Sequence, residues 1–142
     1  AFVGWLDQQA SVAGDRKMGT QGYCMGGPMA FRTAAAVPDR IGAVASFHGG
    51  GLVTDMPNSP HLQAAGAQAQ MLVAIAANDD MRAPEDKNLL RETFSAANLQ
   101  AEIEVYTDAA HGWCPPDSGV YNEPQAERAW ERLLALYGRA LA

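Results

Sequence analysis

Gly22-Tyr23-Cys24-Met25-Gly26-Gly27 sets one thiol among glycines where a short extended segment gives way to residues at helical spacing. Such a G-x-C-x-G pattern suits a nucleophile held at the tip of a sharp strand-to-helix turn. The turn forces the central residue toward positive φ, and small residues two positions to either side let strand and helix pack closely. The thiol then projects over a helix N-terminus, whose dipole favours the thiolate and whose N–H groups can bind an oxyanion. The Met25 N–H is the expected donor of that oxyanion hole. The same residues could also form a small buried cysteine at a Gly-rich helix start, or a phosphate loop.

A thiol nucleophile needs a base, and the base needs an orienting group. Asn78-Asp79-Asp80 follows the apolar run Met71–Ala76, and His111 lies just beyond Glu102–Tyr106. Both positions fall at the C-terminal ends of expected strands, where sites in open α/β sheets gather. Asp79 and Asp80 could instead lie in a solvated loop capping the helix that begins near Pro84, and His111 could be a surface-loop histidine. Spacing alone leaves Asp79 and Asp80 as rivals. Thiol, acid and histidine nevertheless occur in the right order on three loops, which chance rarely produces. His48-Gly49-Gly50-Gly51 looks like the HGGG oxyanion motif of lipases, but there the motif precedes the nucleophile. It is expected to be a tight turn at the edge of the site, with His48 no rival base. His61, beside Pro60, is placed in a polar loop. Cys114 is expected to be a packing residue, or at most a redox partner of Cys24.

The segments that position these groups alternate between short apolar runs and longer helical patterns, as βαβ units do. Phe2–Gln9 is amphipathic, Lys17–Gly22 is a weak strand with Met18 its only large aliphatic residue, and Met25 to Pro38 is helical. Ile41–Phe47, Met71–Ala76 and Glu102–Tyr106 are further strands. A helix opens at Pro84-Glu85-Asp86, as its first-turn proline and acids favour, and stops near Asn98. Asn122-Glu123-Pro124 starts the last helix, which carries Ala126, Trp130, Leu133, Leu134, Tyr137 and Leu141 along one stripe. The expected class is α/β, with about four parallel strands flanked by helices.

The chain's 142 residues fit a single domain, 48% of them are hydrophobic and 18% charged, and the formal net charge is −6. This composition suits a globular protein and argues against disorder. No basic patch points to nucleic acid or an anionic membrane, and no apolar run reaches the roughly 20 residues of a membrane helix. The first residues have no basic segment of the kind that opens a signal peptide. Two cysteines are too few for a disulfide framework, so a cytoplasmic location is expected. No cofactor or metal is expected.

With these residues assembled, the whole chain resembles the dienelactone hydrolase (carboxymethylenebutenolidase) family of the α/β-hydrolase superfamily. Gly22-Tyr23-Cys24-Met25-Gly26-Gly27 is similar to that family's G-Y-C-x-G-G, where the cysteine separates it from serine esterases. Ala77-Asn78-Asp79 is similar to its acid segment, and His111-Gly112 to its catalytic H-G. The resemblance implies Cys24 as nucleophile, Asp79 as acid and His111 as base, hydrolysing a small ester or lactone through a thiol ester. It also implies that residues 1–142 form one domain without the strands and helices that precede the turn in this family. Loss of one oxyanion donor typically costs about 10²–10³ in rate, so weak or no turnover is expected of such a piece alone. Alternative expectations are a catalytically incomplete chain acting through a partner or a homo-oligomer that covers the open sheet edge, or a thiol acyltransferase or amidase on the same turn.

Overall fold

The structure is a computed structural model that describes residues 2–142. Its elements are α1 (Phe2–Leu6), β1 (Met18–Tyr23), α2 (Gly26–Ala36), β2 (Ile41–Phe47), α3 (Pro60–Ala64), β3 (Gln70–Ala76), α4 (Ala77–Arg82), α5 (Asp86–Ala96), β4 (Ala101–Tyr106) and α6 (Glu123–Ala140). The four strands form one parallel sheet in the order β1-β2-β3-β4. This is the expected class and strand number.

Alternation along the strands feeds two cores. Val44, Met71, Val73 and Ile103 meet Ala30, Phe31 and Ala34 of α2 and Leu90 and Phe94 of α5 on one face. Ala43, Ala45, Phe47, Leu72, Ala74 and Tyr106 meet Ala129, Leu133 and Leu136 of α6 on the other. Every residue of β2 is buried, which follows from a central strand covered on both faces. Phe31 and Phe94 join α2 to α5 edge-on, with ring centroids 5.7 Å apart, a contact worth about 0.5–1.5 kcal/mol beyond burial.

β1 is poor in aliphatics for a packing reason. A Cβ at Gly19 would lie 2.5 Å from the Tyr137 ring, so the strand's bare position accepts an aromatic from α6. The Tyr137 hydroxyl then donates to Gln21 Oε1 at 2.9 Å. At the end of α5, Asn98 takes φ +56°. The Leu99 and Asn98 N–H groups turn back to the Phe94 and Ser95 carbonyls, a Schellman stop.

Three expectations need correction. Asp79 and Asp80 lie not in a loop but in α4, which starts directly from β3. Residues 60–64 form a short helix, and His61 is buried rather than set in a polar loop. It sinks there because Ser59, itself fully buried, gives its ring a partner at 2.7 Å. The first helix ends at Leu6 and buries none of its residues.

Candidate active site

The turn from β1 into α2 is built around close backbone contact. A Cβ at Gly22 would lie 2.0 Å from the Gly26 carbonyl oxygen, and one at Gly27 would lie 2.4 Å from Ser46 Oγ and 2.9 Å from Gly49 Cα. Gly26, by contrast, has open space. The pair that must be bare is therefore Gly22 and Gly27, rather than the two glycines that flank the thiol symmetrically. Cys24 takes φ +51° and stands exposed. Its N–H is shared between the Phe47 carbonyl and His48 Nδ1, both at 3.1 Å, and its carbonyl accepts from the Gly27 N–H at 3.1 Å.

His111 reaches the same rim from the far side of the sheet. Gly112 takes φ +94°, which lets the chain drop Trp113 into complete burial while His111 stays at the surface. The Asn78 side-chain oxygen accepts the His111 N–H at 2.8 Å, and the Ala77 N–H donates to the Ala109 carbonyl at 2.9 Å. The start of α4 and the 109–111 loop are thereby fastened together. The His111 Nδ1 donates to Asp79 Oδ2 at 2.7 Å, and Nε2 lies 3.3 Å from Cys24 Sγ. Asp80 points elsewhere, toward Lys87 Nζ at 2.6 Å. The structure therefore brings together Cys24, His111 and Asp79 from three separate connections, and leaves Asp80 out.

These contacts shift the titrations in complementary directions. The Cys24 thiol is lowered from its ordinary value, chiefly by its hydrogen bond with His111, with the Met25 N–H and the His111 charge assisting. Desolvation and the Asp79 charge oppose that shift. Burial pulls His111 down, but its hydrogen bonds to Asp79 and Cys24 and the charges of both outweigh it, so His111 is raised. A lowered thiol beside a raised imidazole favours the thiolate–imidazolium pair. The Met25 N–H hydrogen-bonds to the sulfur and favours the thiolate.

Cys114 stands apart. Burial pushes its thiol up to about 12, and it lines a cavity of about 260 Å³ with Tyr23, Phe47, Tyr121 and Trp130. None of Cys24, Asp79 and His111 lines that cavity. Among the described residues no group of three or more His, Cys, Asp or Glu side chains is placed to hold a metal ion, and no helix is long and apolar enough to cross a membrane.

Two residues at this site were not foreseen in these roles. Asn78 is placed one residue ahead of the acid. His48 is not a mere edge turn but a buried ring, 3% exposed, at the end of β2. The available signal was positional: each strand is followed closely by a residue of this cluster, Cys24 after Tyr23, His48 after Phe47, Asn78 and Asp79 after Ala76, and His111 after Tyr106.

The chain is similar over most of its length to several known proteins. A carboxymethylenebutenolidase of Rhodococcus opacus is 28% identical over 137 residues, covering 92% of this chain and 53% of that protein. An Escherichia coli K12 protein provisionally named carboxymethylenebutenolidase is 33% identical over 138 residues, covering 91% of this chain and 50% of that protein. The chain thus spans about half the length of these curated relatives. A Klebsiella pneumoniae protein solved as a provisional dienelactone hydrolase matches with a TM-score of 0.82 at 26% identity, over 97% of this chain and 57% of that one. The model of the dienelactone hydrolase family matches residues 1–141, and a match of that extent means that this chain belongs to the dienelactone hydrolase family.

Proposed function

We propose that Cys24, His111 and Asp79 are the nucleophile, base and acid of a carboxylic ester hydrolase acting on a small ester or lactone. The observation that carries this reading is the 3.3 Å approach of His111 Nε2 to the Cys24 sulfur, with Nδ1 held 2.7 Å from Asp79. A base within hydrogen-bond reach of its nucleophile, itself oriented by a third group, is the geometry of an activated thiol. The substrate class rests on family membership.

In the first half-reaction the thiol proton passes to His111 Nε2 and the sulfur attacks the carbonyl carbon. A C–S bond forms, and the displaced π pair resides on oxygen, facing the Met25 N–H. Collapse breaks the C–O bond, and His111 returns its proton to the departing alkoxide; in a lactone that alcohol stays tethered to the acyl group. In the second half-reaction His111 Nε2 takes a proton from water, and the resulting hydroxide adds to the thiol ester carbonyl. Loss of the C–S bond then releases the acid and restores the thiolate beside the imidazolium. Asp79 keeps the Nδ1 proton throughout, so that Nε2 is the face that exchanges protons.

Because the chain spans about half the length of its relatives, sustained turnover is proposed for the whole protein, and acylation tests the reading on this chain. Incubation with p-nitrophenyl acetate should leave one acetyl group on Cys24, located by mass spectrometry of the digest. Labelling should be abolished in Cys24→Ala and reduced at least tenfold in His111→Ala. Acetylation that persists in Cys24→Ala, or that is indifferent to His111, overturns the assignment.

A further inference from the structure

Four strand ends meet at this site, and the proposed reaction uses only three of them. The fourth residue, His48, sits at the end of β2 with φ +41°, a left-handed conformation that histidine adopts more readily than most residues. Its Nδ1 accepts the Cys24 N–H at 3.1 Å. A backbone amide can only donate, so to accept from it Nδ1 must be bare and the proton must reside on Nε2, which is buried without a hydrogen-bond partner. The ring is wedged among Tyr23, His111 and Trp113, with centroids 6.0, 4.8 and 5.1 Å away. Trp113 is backed in turn by Tyr106 at 5.1 Å.

We propose that His48 is a positioning residue for the nucleophile: its Nδ1 holds the Cys24 amide in the left-handed turn and so keeps the sulfur in register with the His111 imidazole. The inference rests on the reading of Cys24 and His111 as nucleophile and base. Tyr23, Cys24 and His111 face the ring directly, and the charge of Asp79, beyond His111, acts on it in the opposite sense to that of His111. Burial and the nearby His111 charge lower His48 to about 4. The acceptor is thus retained at neutral pH, and no second cation forms against the imidazolium. A protonated His48 would lose its acceptor and repel His111.

Two substitutions separate acceptor from ring. Asparagine tolerates positive φ, and its Oδ1 falls where Nδ1 stood, so His48→Asn keeps the contact with Cys24. His48→Phe keeps a ring and removes the acceptor. The readout is the rate of Cys24 alkylation by iodoacetamide against pH, with folding checked by circular dichroism. His48→Asn should stay within about twofold of the unsubstituted chain at pH 7. His48→Phe should lose about tenfold, with its profile moving toward that of an ordinary thiol near 9.0. Coincident profiles for His48→Phe and the unsubstituted chain overturn the inference, as does equal loss in both variants. Should His48→Phe not fold, ¹⁵N NMR of the unsubstituted chain decides. A proton on Nε2 and a coupling across the hydrogen bond from the Cys24 amide to Nδ1 support it; a proton on Nδ1 refutes it. His111→Ala, measured alongside, tests the underlying reading separately. A thiol profile that is lowered and dependent on His111 but indifferent to His48 sinks only the present proposal.

Discussion

Alanine at Gly22 should cripple the site, whereas alanine at Gly26, four residues away in the same motif, should not. The added methyl at position 22 would stand 2.0 Å from the Gly26 carbonyl oxygen, 2.1 Å from its carbon and 2.7 Å from the Gly27 nitrogen. These are backbone atoms and cannot swing aside as a side chain can. Ordinary contact begins at 3.4 Å, so strand and helix must part by about 1.4 Å at that point. Overpacking of this kind costs about 1–3 kcal/mol. The chemical cost is larger, because the opening moves the start of α2 and with it the 3.3 Å contact between Cys24 and His111. Misplacement by about 1 Å can cost roughly 10²-fold in rate. Gly26→Ala meets nothing within 4 Å and should gain up to about 1 kcal/mol of helix propensity. Thermal melts followed by circular dichroism and alkylation rates of Cys24 at pH 7 measure both effects. A Gly22→Ala chain that melts with the parent and alkylates within twofold of it refutes the reasoning. So does a Gly26→Ala chain that is equally impaired.

The two adjacent acids should separate cleanly. Asp79→Asn removes the anion that raises His111, and should cut acylation of Cys24 by roughly 10²–10⁴, as loss of the orienting carboxylate does in other triads; stopped-flow release of p-nitrophenol measures it. Asp80→Asn breaks only the part-buried pair with Lys87, should cost about 1 kcal/mol, and should leave the p-nitrophenol burst unchanged. The two thiols should differ just as clearly in pH dependence. A lowered Cys24 carries more thiolate at neutral pH than an ordinary cysteine, so its alkylation should rise at a lower pH than the ordinary 9.0. Cys114, held near 12, carries roughly a thousandfold less thiolate than an ordinary thiol at the same pH. Peptide mapping after a brief exposure to iodoacetamide at pH 7 should find the label on Cys24 alone; comparable labelling of Cys114 would contradict its burial.

The parts legible in the sequence were those governed by local periodicity and chain order. Met71–Ala76 is an unbroken apolar run and Ile41–Phe47 is apolar but for Ser46, and they sit at the centre of the sheet, where both faces are covered. Chain order placed the thiol, the acid segment and His111 at three strand ends, because a parallel sheet with helical crossovers returns every strand in the same direction. What depends on side-chain direction within one turn was not legible. Asp79 and Asp80 are neighbours of identical type, and α4 separates them by sending one to His111 and the other to Lys87. Had the segment been a loop, no periodicity would have distinguished them. The burial of His61 escaped notice because a buried histidine is accounted for by its partner, Ser59 Oγ, and two polar residues flanking a proline look like a loop. Gly27 did so because its role lies across the sheet, against Ser46 and Gly49, contacts that no spacing within the motif encodes.

Backbone strain points to the same cluster independently of residue chemistry. Among the described residues, the non-glycine positions with positive φ are Cys24, His48 and Asn98. Asn98 is explained by its helix stop, a location where asparagine is common. Cys24 and His48 have no such local excuse. They end adjacent strands, their strands are in register from Gly19 with Ala43 to Tyr23 with Phe47, and a hydrogen bond joins the two strained residues directly. A strained residue costs on the order of 1–3 kcal/mol and persists only where its surroundings over-determine it. Here the surroundings are identifiable. The Phe47 carbonyl and His48 Nδ1 share the Cys24 amide, the Gly22 and Gly27 contacts leave the turn no wider path, and Trp113 is packed beneath His48. Relaxing either residue to negative φ would break the contact between them and turn the sulfur off the rim that His111 occupies. The strain is thus concentrated where two side chains must face across a strand boundary that regular geometry would keep apart. That is the reason to regard β1, β2 and their two turns as one mechanical unit, with Asp79 and His111 closing on it from β3 and β4.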